Sequence, residues 1–332
     1  MLDLTQRILA LEAWGKALAT ATGREATASQ AAAQNPWFTV DLVQEAIQAI
    51  CDDYLNRPAL EIWLSGWEDK SESRDVGIVM AGNIPLVGFH DLLSVLATGN
   101  RALVKTSSKD EVLIKWVIGW LEEVEPLLGK QIELRERLTE MDAVIATGSR
   151  NTSRYFDRYF AKWPHIIRKN RHGVAVLRGE ESEKDLLALG QDVFKYFGLG
   201  CRSVSKLYLP KGYDPARVMA AFEAYSHVAE HTRYRHNFEY HRSVFLLNQI
   251  KHYSSDFLCM LEKAEIASSI ATLHYSFYES EAELKQELLG QQELIQCVVG
   301  KGINEVPFGD AQRPALTDYA DGIDTLEFLA GI

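Results

Sequence analysis

Hydrophobic residues recur at helical spacing along the first part of the chain. In the opening segment they fall on one face of a helix, and the positions are Leu4, Ile8, Leu11 and Leu18. Residues 1 to about 56 are predicted to be helical, with an interruption at Pro36. Thr39 follows the interruption and is placed to cap the next helix.

Two later segments alternate in the manner of strands. Residues 60–64 read apolar and polar in turn, a polar segment covers residues 68–74, and residues 76–80 are again apolar. Two strands joined by a polar turn predict an arm or hairpin. The tail from Val306 is predicted to be extended and to finish in a strand at residues 325–329.

From Val76 the pattern changes to strand and helix in alternation. The predicted strands are residues 76–80, 101–105, 142–146 and 174–177, and the first three are followed by helices, the second of them capped by Asp110. This alternation predicts an α/β fold built on a parallel sheet with right-handed crossovers. A second segment begins after about Gly179, so the predicted domains are 1–178, 179–300 and a tail, 301–332.

Composition narrows the class of protein. The chain has 332 residues, of which 47% are hydrophobic and 24% charged, which is typical of a soluble globular protein. A formal net charge of -11 argues against nucleic acid or an anionic membrane as the main partner. No run reaches about 18 apolar residues, and the opening helix lacks the basic flank and uninterrupted apolar centre typical of a signal peptide, so neither a membrane span nor a signal peptide is expected. The four cysteines form no CxxC pair, which indicates a reducing cytoplasm and no zinc ribbon.

The loops after the predicted strands carry the first candidate chemistry. Ligands of parallel sheets bind beyond the carboxyl ends of the strands, here residues 81–85, 105–108 and 147–150. Each loop offers glycine backbone, hydroxyls or a cation, the groups that hold the phosphates and ribose of a dinucleotide. None of them has the GxGxxG spacing.

Cys201 is the second candidate. It follows Gly198-Leu199-Gly200 and precedes Arg202, so it is either a nucleophile or a small residue in a tight turn. A nucleophilic thiol needs a nearby cation or helix N-terminus to ionise, and Arg202 is a candidate for that charge. The other cysteines, Cys51, Cys259 and Cys297, lie in apolar patterns and are predicted to be core residues.

A histidine-rich segment leaves two readings open. His227, Glu230 and His231 spell H-x-x-E-H, which can hold a metal when it lies on a helix and has a third ligand. Histidines are locally abundant, so coincidence is the alternative, and no metal site is predicted. His231 or His236 could also donate a proton to a product, or serve only in packing.

The loops, taken in order, resemble the aldehyde dehydrogenase superfamily, and most closely its acyl-CoA reductase branch, the family of the bacterial luminescence fatty-acid reductase. The matching motifs are Ala81-Gly-Asn-Ile-Pro, Val104-Lys-Thr-Ser-Ser, Ala146-Thr-Gly-Ser, Gly198-Leu-Gly-Cys and Val306-Pro-Phe-Gly. The resemblance covers roughly residues 74–332. It implies an aldehyde-dehydrogenase-like fold, with a parallel-sheet nucleotide-binding domain and an α/β catalytic domain that carries Cys201.

The resemblance also implies roles for individual residues. Cys201 would be the nucleophile, and the Asn83 amide together with a backbone N–H would hold the oxyanion. The implied cofactor-binding residues are Gly82, Lys105, Ser107, Ser108, Thr147, Gly148 and Ser149. The arm and the C-terminal strand would pair across subunits of a homo-oligomer, expected to be a dimer.

Two departures from the family pattern shape the predicted reaction. The general-base glutamate should fall near residues 168–173, where this chain has Arg168-Lys-Asn-Arg-His-Gly and no carboxylate. The acid that holds the adenosine ribose is replaced by Ser108, followed by Lys109, which favours NADPH and leaves NADH open. We therefore expect NAD(P)H-dependent reduction of an acyl-CoA to the aldehyde through a Cys201 thioester.

Three alternatives remain open at this point. One is an acyl-phosphate reductase of the glutamyl-phosphate type, for which the cations of residues 168–172 would meet the phosphate. The others are a non-catalytic binding homologue and a zinc hydrolase.

Overall fold

The computed structural model describes residues 2–148 and 150–332, with the backbone alone at Arg150 and Asn151. The chain forms two compact units. The first runs to Asn170 and includes Ala315–Ile332, and the second is Arg171–Pro314. No helix within the described residues is both long enough and apolar enough to span a membrane.

The first unit begins with the helices α1 (Leu4–Thr20), α2 (Arg24–Gln34), α3 (Val40–Ala49) and α4 (Arg57–Trp63), with a π-helical turn at Ile50–Tyr54. The predicted apolar face of α1 is confirmed, because Ile8, Leu11 and Leu18 are buried. Thr39 caps α3 as expected and accepts the N–H of Leu42 at 3.2 Å. The strand predicted at residues 60–64 is wrong, because Asn56 caps a helix there.

A five-stranded sheet follows, with the elements β1 (Asp75–Val79), α5 (Phe89–Ala97), β2 (Arg101–Lys105), α6 (Glu111–Val124), α7 (Pro126–Gly129), β3 (Ile132–Leu134), β4 (Ala143–Thr147), α8 (Arg150–Tyr159) and β5 (His165–Arg168). Its order is β3-β2-β1-β4-β5, and every pair is parallel. The first three predicted strands are confirmed within a residue. Because the strands are parallel, the loops after β1, β2 and β4 leave the sheet at one edge.

The second unit contains β6 (His172–Val176), α9 (Glu183–Phe194), β7 (Val204–Pro210), α10 (Ala216–Phe222), α11 (Thr232–Leu247), β8 (Tyr253–Ser254), β9 (Cys259–Glu262), β10 (Thr272–Tyr278), α12 (Glu281–Gly290) and β11 (Ile295–Val299). Its sheet has the order β11-β6-β7-β10-β9-β8, and only β8 is antiparallel to its neighbour among the described strands. The strand expected at residues 174–177 therefore belongs to this sheet, and the division falls at Asn170 instead of after residue 178.

The C-terminal segment returns to the first unit and ends in α13 (Thr325–Ala330). Trp63 Nε1 donates to the Tyr319 hydroxyl at 2.9 Å, and Lys70 Nζ donates to the Leu329 carbonyl at 3.1 Å. The strand predicted at residues 325–329 is wrong, because Asp324 caps a helix by accepting the N–H of Glu327. The homo-oligomer stays a prediction. Of the segments expected to pair across subunits, residues 60–64 and 325–329 are helical, and residues 76–80 belong to β1 of the five-stranded sheet.

Candidate active site

Gly82 lies in the loop after β1 and touches the loop after β2. A Cβ at this position would lie 2.6 Å from Ser107 Oγ and 2.9 Å from Ser107 Cβ, so no side chain fits there without a shift. The Gly82 carbonyl accepts a hydrogen bond from Asn35 Nδ2 at 3.1 Å. Asn83 follows with its side chain exposed. Two predicted cofactor residues, Gly82 and Ser107, are thus in contact.

The loop after β2 presents polar side chains to solvent. Lys105, at the end of β2, is exposed and donates to the Glu136 carbonyl. Ser107 Oγ accepts the backbone N–H of Lys109 at 3.3 Å, which shapes the turn. Ser108 and Lys109 are both exposed, so a hydroxyl and an ammonium stand where the family pattern has a carboxylate.

Asp110 does not cap α6 with its side chain, although it occupies the capping position. The carboxyl turns inward instead, is 1% exposed, and accepts the N–H of Leu86 at 2.8 Å. Burial raises the pKa of Asp110 well above its ordinary value, against the smaller lowering effect of the Leu86 hydrogen bond. The expectation of a side-chain cap is therefore wrong, because this carboxyl binds the loop after β1.

The loop after β4 carries the last of the predicted cofactor residues. Thr147 ends the strand and is half-buried. Gly148 is crowded by α8, since a Cβ there would lie 3.0 Å from Phe156 Cε2 and from Thr152 Cβ. The predicted residue Ser149 lies outside the described residues. The loop leads directly into α8, whose N-terminus presents the partial positive charge that suits a phosphate group.

In the second unit, Cys201 lies in a turn directly before β7 and is partly exposed. The preceding residues Tyr196, Phe197 and Gly198 all have left-handed backbones, with φ of 53°, 57° and 75°. Left-handed conformation costs non-glycine residues about 1–2 kcal/mol each, and such strain is concentrated at functional sites. The turn closes through the Ser203 N–H, which donates to the Gly200 carbonyl at 3.1 Å.

Side chains of the same unit fasten this turn to the segment after Val306. Asp192, on α9, accepts the N–H groups of Gly309 at 2.7 Å and Ala311 at 2.9 Å. Arg202 Nε donates to the Ala311 carbonyl at 2.6 Å. Burial raises the pKa of Asp192 to about 6, while the two N–H groups act in the opposite direction. Arg202 therefore binds the Pro-Phe-Gly segment, which the sequence had offered only as a family motif.

The segment that lacks the expected glutamate is occupied by structural contacts. Arg168 is buried in the first unit and donates to Asp91 Oδ1 at 2.6 Å and Thr325 Oγ1 at 3.0 Å. In the second unit, Arg171 donates to the carbonyls of Gln292 and Ile295. These cations hold their own units together.

The remaining cysteines are buried, as predicted, and none of the four, all of them in the described chain, forms a disulfide. Burial raises the pKa of Cys51 to about 11 and also raises the pKa of Cys259, so both thiols are unreactive at neutral pH. Cys297 lies under the turn, and its Sγ donates to the Arg202 carbonyl at 3.8 Å. Cys201 is the thiol left with access to solvent.

The histidine candidates separate by exposure. His227 and His236 are exposed, whereas His231 caps α11 and its ring packs on Phe197 at 4.2 Å between centroids. His227 and Glu230 lie in a 3-10 helix. Over the part of the chain that the structure describes, no three His, Cys, Asp or Glu side chains are grouped to hold a metal ion.

A sequence model of the family described as acyl-CoA reductase (LuxC) matches residues 42–223, which is more than half of the chain. The chain belongs to this family. It is therefore an oxidoreductase that acts on an acyl or aldehyde group. The match covers the three strand-end loops and the Cys201 turn. A search of curated protein sequences gives no match.

Solved structures agree on the fold of this acyl-CoA reductase family member. It is similar to an aldehyde dehydrogenase of Bacillus cereus in complex with NAD+, with a TM-score of 0.66, 12% identity, and 91% of this chain and 73% of that chain covered. For an acetylating aldehyde dehydrogenase of Geobacillus thermoglucosidasius the TM-score is 0.60 and the identity 11%, with 90% of this chain and 76% of that chain covered. For betaine aldehyde dehydrogenase of Staphylococcus aureus the TM-score is 0.65 and the identity 14%, with 94% of this chain and 72% of that chain covered. The aldehyde-dehydrogenase-like fold predicted from the sequence is confirmed.

Proposed function

We propose that this protein reduces an acyl-CoA to the aldehyde, with an acyl group carried as a thioester on Cys201. The observation that carries the proposal is the Cys201 turn, which is strained and partly exposed while the other three thiols are buried. Arg202 ties the turn to Ala311, in a segment that Asp192 holds to α9. A fixed, accessible thiol is the arrangement that nucleophilic catalysis needs.

The reaction balances with groups that this chain and its substrates provide. The Cys201 thiolate attacks the thioester carbonyl carbon, the bond to the CoA sulfur breaks, and CoA leaves as a thiol after taking a proton. The strand-end loops of the first unit would hold a nicotinamide nucleotide, which would supply the hydride that acyl-Cys201 accepts. Collapse of the thiohemiacetal then releases the aldehyde and restores the thiol.

Residues of the first unit fit a nicotinamide nucleotide. The edge formed by the loops after β1, β2 and β4 has a glycine that approaches Ser107 closely, the exposed cation Lys105, and the N-terminus of α8. We propose NADPH as the preferred form, because exposed Ser108 and Lys109 offer no carboxylate to repel a 2′-phosphate. NADH is the alternative.

Residues 168–173 lack the carboxylate that would serve as a general base for hydrolysis of the acyl-Cys201 thioester. Hydrolysis of an acyl-Cys201 requires a base that activates water. Residues 168–173 supply arginine, lysine, asparagine, histidine and glycine. Burial lowers the pKa of His172 below its ordinary value, which makes it a weaker base. The composition of this segment therefore favours transfer to hydride over transfer to water.

We also propose that the side-chain amide of Asn83 donates to the oxyanion formed on the acyl carbonyl. Asn83 is exposed in the loop after β1, directly after Gly82. A donor of this kind contributes on the order of 3 kcal/mol to the transition state. Asn83→Ala should therefore lower kcat by about a hundredfold or more, with Asn83→Asp no better.

An acyl phosphate is a less suitable donor for this chain. That reaction needs cations that can meet the leaving phosphate, and the sequence offered residues 168–172 for that purpose. Arg168 is instead buried against Asp91, and Arg171 is bound to backbone carbonyls. Lys169 is exposed, so one ammonium group of this segment stays accessible to such a phosphate.

Intact mass spectrometry after mixing with an acyl-CoA tests the proposal. We expect a stoichiometric acyl adduct that NADPH, or NADH, removes with release of aldehyde. Cys201→Ala should fold but form no adduct, whereas Cys51→Ala and Cys259→Ala should form it normally, because their thiols are buried and have raised pKa values.

Three results would count against this function. Normal turnover by Cys201→Ala would remove the thioester from the mechanism. An adduct from acetyl phosphate with none from any acyl-CoA would favour the acyl-phosphate reaction. Absence of both an adduct and nucleotide binding would indicate a non-catalytic homologue.

A further inference from the structure

Asp110 occupies the capping position of α6 without capping it. An aspartate at this position ordinarily accepts a backbone N–H from the first turn of its own helix, which stabilises the helix by about 1 kcal/mol. Here the side chain makes no such bond and is almost completely buried. Burying a carboxyl group is unfavourable unless it is hydrogen-bonded, so a partner outside α6 is expected for the Asp110 side chain.

That contact is with a left-handed residue in the loop after β1. Asp110 Oδ2 accepts the N–H of Leu86 at 2.8 Å, and Leu86 has a φ of 56° and is buried. A leucine in this conformation is disfavoured by about 1–2 kcal/mol and persists only where its surroundings hold it. The Leu86 carbonyl in turn accepts the N–H of Phe89, which starts α5. The hydrogen bond from Leu86 to Asp110 therefore fixes the turn through which the loop enters its helix.

The same residue is also tied to the loop after β2. The Asp110 backbone N–H donates to the Ser107 carbonyl at 3.0 Å, and Ser107 is the residue against which Gly82 packs. Asp110 is thus hydrogen-bonded to both loops. Its backbone N–H binds Ser107 in the loop after β2, and its side chain binds Leu86 in the loop after β1, four residues after Gly82.

We propose that Asp110 is a positioning residue, which holds the loop bearing Gly82 and Asn83 against the loop bearing Lys105, Ser107 and Ser108 in the geometry that binds the nicotinamide nucleotide. The inference rests on the proposed function for the identity of the ligand. Asp110 itself touches neither substrate nor cofactor in this role.

The surroundings of the Asp110 carboxyl favour its neutral form. Its second oxygen, Oδ1, is buried and has no hydrogen-bond partner among the described residues. Burial raises the pKa of Asp110, which favours the protonated, neutral form of the carboxyl. Asparagine has the same shape and can accept the same N–H, which makes Asp110→Asn the conservative variant.

Hydrogen exchange and nucleotide affinity, measured on the full chain without acyl-CoA, test the inference. We expect Asp110→Ala to speed exchange of the Leu86 amide and of residues 81–88 at least tenfold, and to raise the Kd for NADPH at least tenfold. Asp110→Asn should stay within about threefold of wild type in both. A second change, Leu86→Gly, removes the left-handed strain and should recover part of the lost affinity in the Asp110→Ala chain.

A stability control separates positioning from general destabilisation. Thr39→Ala removes the cap of α3 in the same unit and should lower stability by about 1 kcal/mol with no change in the NADPH Kd. Unchanged Kd and exchange in Asp110→Ala, or equal damage from Asp110→Asn and Asp110→Ala, would overturn the inference. If the wild type binds neither nucleotide, the cofactor role falls together with the proposed function, and exchange alone reports whether Asp110 holds the loop.

Discussion

A buried aspartate holds the loop after β1 in the first unit, and another holds residues 309–311 in the second, the segment that Arg202 binds beside Cys201. Asp192 accepts two backbone N–H groups, one on each oxygen. Asp110 accepts one N–H and buries its other oxygen without a partner in the described chain. Burial raises the pKa of both carboxyls, but to about 6 for Asp192 and well above the ordinary value for Asp110.

The difference shows how hydrogen bonds decide the charge of a buried acid. Two N–H donors stabilise the carboxylate of Asp192 enough that it is mostly ionised at neutral pH. Asp110 has one N–H donor and a second oxygen with no partner in the described chain, and burial raises its pKa, which favours the protonated form. Asp192 therefore holds the segment that Arg202 binds, mainly as a carboxylate, whereas the surroundings of Asp110 favour its protonated form.

Asp192→Ala is the change with the largest expected effect on this comparison. It leaves the N–H groups of Gly309 and Ala311 without their acceptor, and each buried N–H left unpaired costs about 1–3 kcal/mol. We expect the free energy of unfolding, measured by urea denaturation, to fall by about 2–4 kcal/mol. Cys201 acylation by acyl-CoA should slow at least tenfold while the NADPH Kd stays within twofold.

Ser182→Ala is the matched control for that experiment. Ser182 caps α9, the helix that carries Asp192, so its loss should cost about 1 kcal/mol without changing the acylation rate. Equal slowing of acylation by both variants would mean that Asp192 acts only through the stability of its helix.

Gly82→Ala tests the nucleotide edge. The new Cβ would lie 2.6 Å from Ser107 Oγ, and overpacking of this kind costs about 1–3 kcal/mol. We expect the NADPH Kd to rise about tenfold, which corresponds to 1.4 kcal/mol, with acylation of Cys201 little changed. Ser107→Gly in the same chain removes both crowding atoms and should reverse part of the loss.

Gly119→Ala is the control for a glycine substitution in the same unit. A Cβ at Gly119, on α6, meets nothing within 4 Å, so the change should leave the NADPH Kd unaltered. An unchanged Kd in Gly82→Ala as well would remove the close contact from the description of the cofactor site.

Much of the framework could be predicted because its strands are continuous apolar runs. β1, β2 and β4 were located from such runs, and the loops after them followed from the geometry of parallel sheets. Two errors had signals in the sequence. Asn56 followed by Pro58 is a helix start, and Asp324 with Glu327 three residues later resembles a capping box. The first signal competes with the alternation of apolar and polar residues at 60–64, and the second stands in a segment whose prolines favour an extended chain.

The contacts that hold the site could not be predicted, because they join residues far apart in the chain. Asp91 binds Arg168 across 77 positions, and Asp192 binds Ala311 across 119. A single sequence contains no sign of such pairs. The role of Asp110 could not be predicted for a related reason. Its sequence position fits a helix cap, and its actual partner, the Leu86 N–H, lies 24 residues earlier in the chain. The two short strands β3 and β5 have too few residues to show a period.

Stability should depend on pH through Asp192. Its folded pKa of about 6 lies above the ordinary 3.8, so the folded chain holds a proton that the unfolded chain has already released. The stabilisation is present at low pH and is lost as the pH rises through about 6. Between pH 5 and 7.5 the free energy of unfolding should fall by about 1 kcal/mol from this group.

Asp192→Asn isolates that contribution, because asparagine does not titrate. The difference in unfolding free energy between wild type and Asp192→Asn should be larger at pH 5 than at pH 7.5, as followed by urea denaturation at the two pH values. A difference in unfolding free energy that is constant with pH would contradict the titration of Asp192 near pH 6, and with it the difference in charge between Asp192 and Asp110.

Lys109→Ala is the smallest expected effect and tests nucleotide preference at the edge of the first unit. Lys109 is exposed beside Ser108, and charge interactions at exposed positions contribute about 0.2–1 kcal/mol. We therefore expect the Kd for NADPH to rise roughly two- to fivefold and the Kd for NADH to stay constant. Lys115→Ala, which removes an exposed lysine paired with Glu111, should change neither value. Ser108→Asp, by placing a carboxylate near the 2′-phosphate, should shift the preference further toward NADH. If Lys109→Ala weakens both nucleotides equally, the cation serves a phosphate that NADH and NADPH share, and the 2′-phosphate has no partner at this position.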